Sequence, residues 1–168
     1  MRKFTVVIAL TAALACAAFA EIDIKATIVK HLKISRDFTQ KVAEQMPEAD
    51  YSFKLTPAQM SFGEQMVHLA SSGEYFISPI LGTKPKEAKP ASMKKADVIA
   101  FVKTSFDATI EKVSKLTPEQ LSKTYKGEGG IETGFEMLLG LLDHTTHHRA
   151  SAEMYLRAKG ITPAEYQF

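Results

Sequence analysis

The sequence predicts an all-α fold, a four-helix bundle with a long crossover loop between helices 2 and 3. Three observations carry that expectation. Four segments repeat apolar residues at three- and four-residue steps, the period of a helix with one buried face. Two of them open on a capping box, Ser61 with Glu64 and Thr133 with Glu136, in which hydroxyl and carboxylate satisfy the first free N–H groups. Alternating strand patterns are nearly absent. At 168 residues, 45% hydrophobic and 24% charged, the chain can bury one substantial core and is too apolar for disorder. A net charge of +2, with no basic run interleaved with aromatics, gives no reason to expect nucleic acid.

Residues 1–20 read as a signal peptide and 21–168 as the folded domain. Arg2 and Lys3 form a positive start, Phe4 to Ala15 an apolar core, and Ala18-Phe19-Ala20 a small-x-small cleavage site before Glu21. The apolar run is short for a membrane span and no second candidate follows, so an exported protein, periplasmic or extracellular, is expected. The single cysteine, Cys16, falls inside this segment, so cleavage leaves no thiol to act as nucleophile, disulfide partner or metal ligand. Lipid anchoring at Cys16 is the weaker alternative, because Ala13 stands where a large aliphatic residue is usual.

From Ile22 to Met46, Ile24, Ile28, Leu32, Phe38 and Val42 follow helical spacing, and Pro47 stops the helix. A loop from Glu48 to Met60 carries Tyr51 and Phe53, aromatics expected to fold back onto the bundle. The second helix starts at the Ser61 box, aligns Phe62, Met66, Leu69, Phe76, Ile77 and Ile80, and ends near Leu81-Gly82. Thr83 to Ala91, with Pro85, Pro90 and three lysines, reads as the exposed crossover. Ser92 is the expected cap of a third helix bearing Ile99, Val102, Phe106, Ile110 and Val113. Thr117-Pro118-Glu119 begins a short helical piece, and Lys126 to Gly130 reads as a flexible break. The last helix runs from Thr133 to about Lys159, closed by Gly160 and Pro163.

That last helix holds three of the five histidines, within Asp143-His144-Thr145-Thr146-His147-His148-Arg149. His144 and His148 are four residues apart and project to the same side. They fall on the seam Met137, Leu141, His144, His148, Ser151, Tyr155, where a bundle expects apolar side chains. His147 is off that seam. Two imidazoles in core positions point to a metal, and a third ligand must come from a facing helix, where His68 and His31 are the candidates. The pair lacks the internal glutamate of the metalloprotease motif.

The segment His144 to Arg149, followed by Tyr155 to Ile161, Pro163 and Tyr166, resembles the C-terminal signature of the DinB-like (DinB/YfiT) superfamily. Met60 to Ala70, with Glu74-Tyr75-Phe76, resembles that family's second helix. The likeness spans Ile22 to Phe168, and departs at Ala150-Ser151, where the family has Gly-Gln, and in the absence of tryptophan. It implies a four-helix bundle and a divalent metal, zinc or nickel first and iron or manganese next, held by His68, His144 and His148. Glu64, Asp143 and His147 are candidates for orienting those rings, although Glu64 is first of all the capping-box acid. Arg149 could hold an anionic substrate or pair with an acid, and Tyr75 and Tyr155 could line the site or belong to the core. The resemblance implies a metal-dependent enzyme, thiol-transferase-like or hydrolase-like, acting on an unidentified small molecule, and it makes a homodimer plausible. The alternative is a non-catalytic exported protein that binds metal or a small ligand.

Overall fold

The computed structural model describes residues 23–127 and 129–167. Four long helices form the bundle: α1 (Ile24–Gln45), α2 (Phe62–Leu81), α3 (Lys95–Ser114) and α5 (Gly134–Ala158). A short helix α4 (Pro118–Ser122) and a hairpin of β1 (Thr124–Gly127) and β2 (Gly130–Thr133) lie between α3 and α5. α2 packs on α5 and α3, while α1 packs on α3 and α5. Helices α1 and α2, although consecutive, therefore face each other across the bundle. The expected crossover is residues 82–94, between α2 and α3. The expected signal segment and Cys16 lie outside the described residues.

Local chemistry sets the helix ends. Both expected capping boxes are formed: Glu64 N–H donates to Ser61 Oγ and Ser61 N–H to the Glu64 carboxylate, and Thr133 and Glu136 do the same. Thr117 and Gln120 add a third box at α4. α2 stops at Gly82, whose φ of 65° lies in the left-handed region that only glycine enters without strain. The start of α3 differs from expectation. Its cap is Lys94, and Lys95 N–H donates instead to the Glu48 carboxylate at 3.0 Å, while Ser92 binds Lys94 N–H and Asp97. The described residues at either end of the break expected at Lys126 to Gly130 pair as strands. Thr124 pairs with Thr133 and Gly127 with Gly130 in antiparallel register, with Gly130 at a φ of 118°. Strands of four residues are too short to leave a period-two signal.

The core is two apolar clusters stacked along the bundle. One gathers Phe38, Val42, Phe62, Met66, Leu69, Val102 and Tyr155; the other gathers Leu32, Ile77, Ile110, Val113, Leu138 and Leu141. Each fully buried aliphatic or aromatic side chain contributes about 1.5–3 kcal/mol. Tyr51 and Phe53 fold back as expected: Tyr51 is buried edge-on to Phe62, and Phe53 lies edge-on to Tyr155. Between the clusters runs a belt of buried polar residues, Ser35 on α1, Ser72 on α2, Thr109 on α3, and Thr145 and Arg149 on α5. The three histidines stand at this level, where an apolar bundle tolerates polar groups.

Gly134, the first residue of α5, packs so closely on α4 that an added Cβ would overlap the backbone carbonyl of Gln120. A backbone atom cannot rotate away. Gly134→Ala is therefore expected to lose about 1–3 kcal/mol by overpacking, read as a lower urea midpoint with an unchanged slope. An unchanged midpoint would mean that α4 shifts freely.

Candidate metal centre

His68 lies in the second turn of α2, and the Ser61 box fixes where that helix begins. His144 and His148 come from successive turns of α5, the helix against which α2 packs. The facing helices bring all three rings together. One ligand nitrogen from each lies within 4.8 Å of the others. Ring centroids are 4.4 Å apart for His68–His148 and His144–His148, and 5.1 Å for His68–His144. Three imidazoles so placed suit zinc, nickel, iron or copper, and leave room for a further ligand. His31 is exposed on α1 and is not in this group. His147 stacks edge-on to His148 at 4.9 Å but is likewise outside it.

The seam needs correction. The core positions of α5 in these turns are Thr145 and Arg149, each one residue on from a histidine, whereas His144 and His148 are only half-buried. Ser151 is also only half-buried. The histidines therefore border the core, where a small molecule can reach them. A cavity of about 650 Å³ opens beside them, with His68 and His144 in its wall. α2 supplies one side through Val67, Ser71 and Phe76, and the crossover closes another with Lys86 to Lys89 and Met93.

Gln65 is the residue that sequence reasoning missed. It is buried on α2 one turn before His68, and its Oε1 lies 2.9 Å from His148 Nδ1. A carboxamide oxygen only accepts, so His148 donates from Nδ1 and presents Nε2 as the free lone pair. The three-residue spacing from His68 was the available signal. The expected orienting groups are elsewhere. Glu64 is held below the ordinary carboxylate range first by Ser61 N–H and also by Lys54, as its capping role requires. Among the described residues no hydrogen bond joins Asp143 to a histidine. His148 itself is pulled down to about 4, first by burial and then by its histidine neighbours. Its ring is neutral, as a metal ligand must be.

Arg149 does not serve the cavity. It is buried, donates to Ser35 Oγ at 2.7 Å and stacks on Phe38 at 4.6 Å, with burial lowering its pKa. Tyr155 is a core residue whose hydroxyl donates to Met60 O at 2.6 Å, whereas Tyr75 is exposed on the cavity wall.

The DinB family model matches residues 19–168. The chain belongs to the DinB family. Uncharacterized protein YjoA of Bacillus subtilis is 29% identical over 142 residues, 80% of this chain and 90% of that one. Its crystal structure, that of a DinB-like protein, superposes with a TM-score of 0.70 at 26% identity, covering 83% of this chain and 96% of the other. A DinB-like protein from Bacillus cereus gives a TM-score of 0.74 at 18% identity, covering 84% and 97%. YfiT from Bacillus subtilis, described as a probable metal-dependent hydrolase with an unusual four-helix bundle topology, gives 0.62 at 16%, covering 82% and 89%. These likenesses establish the DinB bundle as the fold of this chain.

Gln65→Leu removes the acceptor and leaves the His148 ring free to choose its tautomer. Loss of such an outer partner typically lowers metal affinity about 10–100-fold. Competition titration with a chromogenic chelator measures it, and wild-type affinity would show that Gln65 does not orient the ring.

Proposed function

We propose that this DinB protein binds one divalent metal through His68, His144 and His148 and uses it to transform a small molecule in the adjoining cavity. One observation carries the reading: His68 and His144 form part of the cavity wall, so the site opens onto substrate-sized space instead of being sealed as a structural one. The all-imidazole donor set fits zinc or nickel best, with iron next; manganese, which favours oxygen donors, fits it less well. When bound, such an ion polarises a carbonyl or phosphoryl oxygen and lowers the pKa of a coordinated nucleophile. The chain's own part is to hold the ligands through Gln65 and the α2–α5 packing, and to shield the reacting groups with Phe76 and the crossover. Hydrolysis comes first because YfiT, which shares the fold, is described as a probable metal-dependent hydrolase; transfer to a thiol comes second.

The test is metal analysis of protein purified without chelator, followed by a screen with ester and amide substrates and with thiols plus electrophiles. About one equivalent of metal, and turnover above a His68→Ala control, is expected. Less than about a tenth of an equivalent sinks the metal reading. Bound metal without turnover leaves the non-catalytic binding protein.

Export, a small-molecule partner in place of nucleic acid, and homodimer formation belong to the same proposal. Arg2 and Lys3, the apolar run and Ala18-Phe19-Ala20 support processing after Ala20. N-terminal sequencing of protein from the exported fraction should begin at Glu21; retention of Met1 or acylation at Cys16 would overturn cleavage there. A monomer in sedimentation equilibrium would exclude the dimer.

A further inference from the structure

We propose that the cavity takes a small amphipathic carboxylate, its apolar body against Val67, Phe76 and Met93 and its anionic end toward the histidines and Lys86. This rests on the metal reading above and adds the substrate class. The wall is largely apolar, so charge in the ligand has to be matched at few points. Two of its acids are already matched. Glu64 accepts from Ser61 N–H and pairs with Lys54 at 3.6 Å, and Glu87 pairs with Lys89 at 4.0 Å. Lys86 is the wall's remaining charge, with no carboxylate partner among the described residues.

The ligand set adds to this imbalance. Three imidazoles are neutral donors, and the partner of His148 is the carboxamide of Gln65, not a carboxylate. A divalent ion there keeps its full charge, because among the described residues no acid lies in the donor group to offset it. A cationic ligand would meet both that ion and Lys86. A neutral one would leave both unmatched. Lys86 comes from the crossover, so the loop sets specificity while the helices hold the metal ligands.

The experiment is calorimetric titration of hexanoate, hexanamide and hexylamine into metal-loaded and metal-free protein, wild type and Lys86→Met, with metal content measured on each sample. Hexanoate should bind metal-loaded wild type at least roughly tenfold more tightly than hexanamide, and hexylamine least. Lys86→Met should weaken hexanoate roughly three- to fivefold in either metal state and leave hexanamide unchanged, as expected for one exposed ion pair. Equal binding of hexanoate and hexanamide to a fully loaded sample overturns this proposal and leaves the metal reading standing. So does unchanged hexanoate affinity in Lys86→Met, or no saturable binding of any probe. A sample that takes up no metal overturns the metal reading, and the Lys86 comparison in metal-free protein then decides this one alone.

Discussion

His148→Ala is expected to lower metal affinity by more than the roughly 100-fold upper range for losing an outer partner, while the far-ultraviolet helical signal stays unchanged. His148 shares its nitrogen cluster with His68 and His144, and no cysteine or carboxylate in that group can replace it. The fold does not depend on it. The ring is half-buried beside the core, and the apolar positions of that part of α5 are Leu141, Ala152 and Leu156. His147, with its ring 4.9 Å from that of His148, is placed to compensate, so His147→Ala and the double variant belong to the test. Stoichiometric metal retained in the double variant would mean that the ligand set is wrong.

The same ring gives a pH signature. His148 falls from 6.5 to about 4 in the folded, metal-free chain, chiefly through burial. Between those values the unfolded chain binds more protons than the folded one, so folding is progressively opposed as pH falls. This contribution to stability is complete above 6.5 and is lost as pH drops through about 4. Thermal midpoints of metal-free wild type should therefore decline over that window more steeply than those of His148→Ala. Parallel declines would assign the acid sensitivity to other groups.

Helix ends were legible because they rest on local chemistry that sequence states directly, as at Ser61–Glu64, Thr133–Glu136 and Gly82. The register of α5 was not. From Leu141 the core can step three residues to His144 or four to Thr145, and neither is apolar, so hydrophobic pattern cannot choose. A buried Arg149 is harder still, because only Ser35 and Phe38 on another helix make burial tolerable. Spacing left His31 and His68 equivalent as third ligand; the DinB resemblance selected His68, and the packing of α2 on α5 brings His68 alone to the pair. Gln65 and Lys86 escaped for different reasons. One needs a specific contact across two helices, the other a loop path that composition does not encode.

Tyr155→Ala should produce the largest loss of stability, about 3–5 kcal/mol, a substantial share of the roughly 5–15 kcal/mol that holds a domain folded. Tyr155 is fully buried, meets Phe53 and Phe62 edge-on at 6.2 and 6.3 Å, and joins α5 to the residues around the start of α2. Its hydroxyl also donates to Met60 O, immediately before the Ser61 cap. Ring and hydroxyl can be separated. Tyr155→Phe keeps the packing and should cost only about 0.5–1.5 kcal/mol, the net worth of one hydrogen bond. Metal affinity should follow the ring, because the docking of α2 on α5 sets the separation of His68 from His144 and His148. Tyr155→Phe should bind metal as wild type does, and Tyr155→Ala more weakly even at temperatures where it remains folded. If both variants lost metal equally, the hydroxyl's hold on Met60, and not the aromatic packing, would be what positions His68.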